Sequence, residues 1–196
     1  MTSEFYEKNN ERFLLLLSYY LNVEDTLVER KSVEEVAACG VSREYAFALV
    51  LAESLGVDAD GKDKDFFNEY FVPSIKELSV EDYYANDYFS LVKFNGEVFG
   101  DAELTYLTYA PYRGFVRDDF EYFMSGKVLP LIGFFSTEYR YPAIKKRGRE
   151  WMTLLPNEIN SQIRYVNEAF GKVLTYGLGL GYYALEVALK KEVESV

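Results

Sequence analysis

Apolar positions recur at helical spacing through the first fifty-odd residues. Phe5, Phe13, Leu16, Leu17, Tyr20 and Leu21 mark a long helix beginning near Ser3. Ser32, with Glu35 three residues on, reads as a capping box opening a short second helix that Gly40 ends. Ser42 reads as the cap of a third, which runs through Tyr45, Leu49 and Leu55 to Gly56. The last two helices have a helix-turn-helix outline. Residues 43–49 carry one cation among many apolar side chains, which suits packing better than reading base edges.

Asp58 to Asp65 alternates acidic residues with Gly61 and two lysines, and reads as a solvated connector. Counted from Asp58, its glycine comes too early for a calcium-binding loop. From Phe66 to Leu155 the pattern turns to strands and loops. Asn95-Gly96, between the apolar pairs around Leu91 and Phe99, reads as a two-residue hairpin turn. Leu104–Tyr109 and Val128–Phe135 read as strands, the latter with Pro130 marking an edge or a bulge. The aromatics of this stretch form either a core or, through Tyr109, Tyr112, Phe134, Phe135 and Tyr139, the lining of a substrate cleft.

A third region starts near Trp151. Pro156 suits a first helical turn, and Ile159, Ile163, Val166 and Phe170 continue it to Gly171. Lys172–Tyr176 then reads as a strand, Gly177–Gly181 as a glycine loop, Tyr182–Lys191 as a helix, and Glu192–Val196 as the start of another strand. The expected fold class is thus α+β: a helical region at 1–57, an aromatic β-rich region at 66–155, and the start of a Rossmann-like cofactor-binding domain at 156–196.

Composition narrows the chemistry. The net charge of −11 disfavours phosphate backbones, although Lys145–Arg149 holds four cations in five residues; that run reads as a solvated turn or an anion contact. The chain has no histidine, which excludes histidine-based triads and histidine-ligated metal within it, and no metal is expected. Its one cysteine, Cys39, can form no internal disulfide and reads as a small buried residue. The start Met1-Thr2-Ser3-Glu4 lacks a basic signal-peptide region. Val173–Leu189 includes Glu186 and is short for a membrane span. A cytoplasmic location is expected.

The glycine loop permits two registers. Gly179-Leu180-Gly181-Tyr182-Tyr183-Ala184 fits a dinucleotide fingerprint. Gly177, Gly179 and Gly181 fit GxGxG directly after the strand. In that second register, residues 151–196 resemble the entry into class I S-adenosylmethionine-dependent methyltransferases at their motif I. Residues 151–159 also resemble the approach segment of some bacterial members. The resemblance implies a transferase whose cofactor, S-adenosylmethionine, lies along Gly177, Gly179 and Gly181. Asn157 and Glu158 would be polar contacts, and Trp151 and Tyr176 aromatic walls. Thr175 stands where the family usually has an acidic residue. The family's ribose-binding acidic residue and its catalytic region would fall past Val196, so this chain alone is expected to be inactive, an accessory or substrate-recognition part of the enzyme. The methyl acceptor is not identified. A homodimer through the C-terminal strand or the N-terminal helices, a non-enzymatic interaction module and a fragment of an NAD-dependent oxidoreductase are the other readings.

Overall fold

Thr2 opens the first helix of the computed structural model, which describes residues 2–23 and 26–196. Its hydroxyl accepts from Phe5 N–H, and α1 (Ser3–Asn22) buries Tyr6, Phe13, Leu17 and Tyr20 along one stripe. Helix α2 (Arg30–Ala37) starts earlier than the expected capping box, with Glu29 as N-cap and Ser32 already in the first turn. A hydrophobic staple sets this start: Val28 and Val33, its N′ and N4 positions, are buried in one core. Glu35 lies 3.7 Å from Lys31 and caps nothing. Cys39 is exposed in the turn that follows, so the expected buried role does not hold.

Helix α3 (Arg43–Ser54) is capped as its sequence implies, Ser42 Oγ accepting from Tyr45 N–H at 3.1 Å. At its far end Gly56 N–H donates to Glu53 and Val57 N–H to Ala52, a Schellman closure. The acidic connector is internally bonded. Asp58 accepts from the N–H groups of Gly61 and Lys62, and Asp63 accepts from Asp58 N–H. Among the described residues no cluster of three or more Asp, Glu or Cys side chains is placed to hold a metal ion. Residues 64–74 are helical, as α4 (Lys64–Phe66), a π-helical turn at Phe67–Phe71 and α5 (Val72–Ser74). Strand β1 (Ile75–Leu78) follows, then α6 (Val80–Tyr84) and α7 (Asp87–Leu91).

The expected hairpin at Asn95-Gly96 is displaced. Asn95 N–H bonds to the Glu97 carboxylate, and the pairing turn is Gly100-Asp101, joining β2 (Val98–Phe99) to β3 (Ala102–Tyr109). Next come β4 (Phe115–Tyr122), β5 (Val128–Phe135), β6 (Tyr139–Lys146), β7 (Arg149–Thr153), α8 (Pro156–Glu168), β8 (Gly171–Lys172), α9 (Tyr182–Ala188) and β9 (Val193–Ser195). The protein is therefore α+β, and its described residues form three sheets, ordered β1-β5-β4, β2-β3-β6-β7 and β8-β9. Among the described residues no helix is long and apolar enough to cross a membrane.

The chain divides into two interleaved compact units, residues 1–78 with 110–137 and residues 79–109 with 138–196. The stretch 66–155 is thus shared between them. In the first unit β5 pairs parallel with β1 and antiparallel with β4. Pro130 sits where β4 bulges between Asp118 and Glu121, and its carbonyl accepts from buried Ser74 Oγ at 2.5 Å. Phe134 stacks on Phe47 at 4.3 Å and beside Tyr112 at 5.6 Å, so Tyr112 and Phe134 are core residues. Asn10 uses its whole amide. It donates to Gly126 O and accepts from Tyr70 Oη and Val128 N–H, tying α1 to the β4–β5 turn. Burial raises the Tyr70 phenol to about 12, which keeps it a donor.

In the second unit β3 pairs with β6 along its whole length, and β6 with β7. Tyr139 is buried there between Tyr84 and Tyr141 rings. Strand β8 is shorter than the expected Lys172–Tyr176, and it does not stand alone. It pairs parallel with β9, and Val173 N–H donates to Ser195 O. The C-terminal segment is a β-loop-α-β unit.

Candidate cofactor-binding site

The loop from β8 to α9 is built by backbone conformation. Gly177, Gly179 and Gly181 hold φ of 80°, 56° and 84°, the left-handed region that costs other L-residues steric strain. A Cβ on Gly177 or Gly179 would meet no atom within 4 Å. Torsion, and not crowding by protein, therefore selects glycine, and the space beside the loop is open.

Three contacts fix this loop. Gly181 N–H donates to Leu178 O at 2.8 Å, and Gly181 O accepts from Leu185 N–H as the N-cap of α9. The hydroxyl of fully buried Tyr88 donates to Leu180 O at 2.6 Å. Burial pushes the Tyr88 phenol well above its ordinary range, so the proton stays on the donor. Tyr88 is itself held, with its N–H on Glu186 Oε1 at 3.0 Å and its ring edge-on to Tyr182. Asn86 lies between the same groups. In the amide orientation that satisfies both neighbours it donates to Glu186 at 2.7 Å and accepts from Tyr182 Oη at 2.9 Å. Burial also raises the Glu186 carboxyl.

A cleft of about 550 Å³ opens beside the loop, within the range that holds small ligands. Tyr176, Gly177, Gly179 and Leu180 form one wall, the end of β7 from Trp151 with the following Leu154 another, and Glu158 and Gln162 on α8 a third. Thr175, Tyr182 and Tyr183 also line it, and among the described residues no lysine or arginine does. Trp151 and Tyr176 are largely exposed, so the cleft is open to solvent.

Of the residues singled out in the sequence, Gly177, Gly179, Tyr176, Glu158 and Trp151 meet at this cleft. Gly181 caps α9 instead of lining it. Asn157 follows Pro156 in the first turn of α8 and is not part of the wall; its buried Oδ1 has no hydrogen-bond partner. Gln162 was not apparent, yet it stands four residues from Glu158 and so shares that helix face. Its Oε1 is likewise a buried acceptor without a partner. Tyr109, Tyr112, Phe134, Phe135 and Tyr139, the aromatics considered for a substrate cleft, are absent from this lining.

The donor set fits a nucleoside-sized ligand that is neutral or cationic. Aromatic walls accept a planar ring, and the Gln162 acceptor and Glu158 carboxylate accept hydroxyl or amino protons. A pyrophosphate would meet Glu158 with no cation in the lining to offset it. Comparison of the chain with protein-family models, curated proteins and solved structures gives no match.

Proposed function

We propose that residues 151–196 form the cofactor side of an S-adenosylmethionine-dependent methyltransferase, with a Rossmann-like β-loop-α-β unit as its core. The observation that carries this reading is the cleft lining: a left-handed glycine loop faces Glu158, Gln162 and Trp151 with no basic side chain among them. A cationic sulfonium cofactor suits such a site, whereas the phosphates of a dinucleotide do not. This favours the GxGxG register over the dinucleotide fingerprint. Gly177, Gly179 and Tyr176 would hold the nucleoside side, with Glu158 and Gln162 as polar contacts. When bound, the cofactor supplies a methyl group already activated by its sulfonium, so the protein's part is alignment of the acceptor. A cytoplasmic location accompanies this reading.

Calorimetric titration with S-adenosylmethionine, S-adenosylhomocysteine and NAD tests it. The two sulfur nucleosides are expected to bind, and Glu158→Gln to weaken the cationic one more than S-adenosylhomocysteine. Binding of NAD alone, or of none of the three, overturns the reading.

A further inference from the structure

A second cleft, of about 630 Å³, lies at the β6–β7 turn and is lined by Lys146, Arg147, Arg149, Glu150 and Trp151. Arg147 and Gly148 hold φ of 52° and 76°, the two positive values of a type I′ hairpin turn. The turn is anchored: Arg147 N–H donates to Asp101 O at 2.9 Å, and its guanidinium pairs with the Asp101 carboxylate at 3.0 Å. Arg147 is therefore already paired with a carboxylate.

The other two cations are not. Lys146 and Arg149 are directly paired across the strands. Like charges in that relation repel, and among the described residues neither makes an ion pair with a carboxylate. Next to them the ladder is irregular. Ile144 pairs with Met152 and Lys145 with Glu150, which leaves Trp151 as the extra residue of a β-bulge. Bulges re-aim side chains and are frequent beside sites. Here the bulged indole lies under the Lys146 ammonium, 4.9 Å from it, and remains more than half exposed.

We propose that this turn binds a small phosphorylated ligand of the nucleoside-phosphate class. The phosphate is met by Lys146 and Arg149, and the ring lies against Trp151. Two unneutralised cations match a phosphate dianion, and an indole face takes a planar base. The ligand is small because the basic ground is small. The chain carries −11 overall, which repels a long polyanion, whereas a ligand confined to the turn, within a Debye length of about 8 Å, is held chiefly by its local cations. Trp151 also lines the glycine-loop cleft, so the two sites adjoin, and the Lys146 and Arg149 variants together with S-adenosylhomocysteine calorimetry tell the failure of one from the failure of the other.

Trp151 is the chain's one tryptophan and lines both clefts, so its fluorescence reports a ligand at either, and dependence on Lys146 and Arg149 assigns the response to this one. Adenosine monophosphate is expected to change that emission saturably, at least ~10-fold more tightly than adenosine or inorganic phosphate alone, and more weakly as salt rises. Lys146→Gln with Arg149→Gln is expected to weaken it by at least ~10-fold, while circular dichroism shows the fold retained, since Arg147 and Gly148 still make the turn. Arg149→Gln alone is expected to give an intermediate loss. S-adenosylhomocysteine binding, read by calorimetry, is expected to be unchanged in these variants. Equal binding of adenosine and its monophosphate, no response at all, or a double variant that binds as the parent does overturns the proposal.

Discussion

The Tyr88 hydroxyl donates to the Leu180 carbonyl at 2.6 Å, so a fully buried side chain from α7 holds the glycine loop in place. The loop's own glycines leave it entropically costly to order, and this contact offsets part of that cost. Tyr88→Phe keeps the ring and removes only the donor. It should lower stability by about 1 kcal/mol, a fall of ~2–4 °C in Tm. Amide exchange should rise at residues 178–181 more than in the β3–β6 ladder. Unchanged exchange in the loop would show that Tyr88 does not hold it.

Gly179 separates torsional from steric causes. At φ 56° with nothing near its Cβ position, the only penalty for a side chain is backbone strain. Gly179→Ala should cost about 1–2 kcal/mol, and Gly179→Asn less, since asparagine visits the left-handed region readily. The larger residue would be the milder change. A stability order that follows side-chain size instead would mean that the loop is packed against something, and thermal melts of the two variants decide it.

These sites differ in how far the sequence reveals them. Ser42 and Gly56 announce α3 because helix caps are local, satisfied by N–H groups within a few residues. The glycine loop is legible for the same reason. Strand β1 is not. Residues 75–78 carry Lys76 and Glu77, and they become a strand through parallel pairing with Ile132–Phe135, far along the chain. The two-unit division follows from such non-local pairings, β3 with β6 above all, which no local pattern encodes. Asn95-Gly96 has the better turn sequence, yet the register that pairs β2 with β3 places the turn at Gly100-Asp101. In the cleft, Glu158 was legible by nearness to the loop. Gln162 was not, because its role depends on which face of α8 looks inward.

Phe134 concentrates the packing of the first unit, lying between Phe47 and Tyr112 with none of its surface exposed. Phe134→Ala should cost about 3–5 kcal/mol, the transfer loss plus an unfilled cavity. Phe134→Leu refills much of the volume and should cost clearly less. Urea midpoints read at unchanged m-value test both, and equal losses would show that the site collapses around either residue.

Asp63 gives the first unit a pH signature. Arg12 donates to its carboxylate at 2.9 Å while the guanidinium lies 4.2 Å from the centre of the Phe66 ring, and Asp58 N–H donates to the other oxygen. The Arg12 hydrogen bond leads in holding the Asp63 carboxyl below its ordinary 3.8. A carboxyl whose pKa falls on folding binds fewer protons folded than unfolded. Its stabilisation is therefore present above the ordinary value and is lost as pH falls through the lower folded one. Arg12 is partly exposed, which limits the contribution to about 0.5–1 kcal/mol. Asp63→Asn should thus be less stable than the parent from about pH 5 to 8, with the gap closing below pH ~4. Arg12→Lys keeps the charge but loses the planar fork and the ring contact, so it should recover only part of the gap. Denaturation of the three proteins across pH reads this directly, and a gap as wide at pH ~3 as at pH ~7 would show that Asp63 acts through its loop hydrogen bonds and not through its charge.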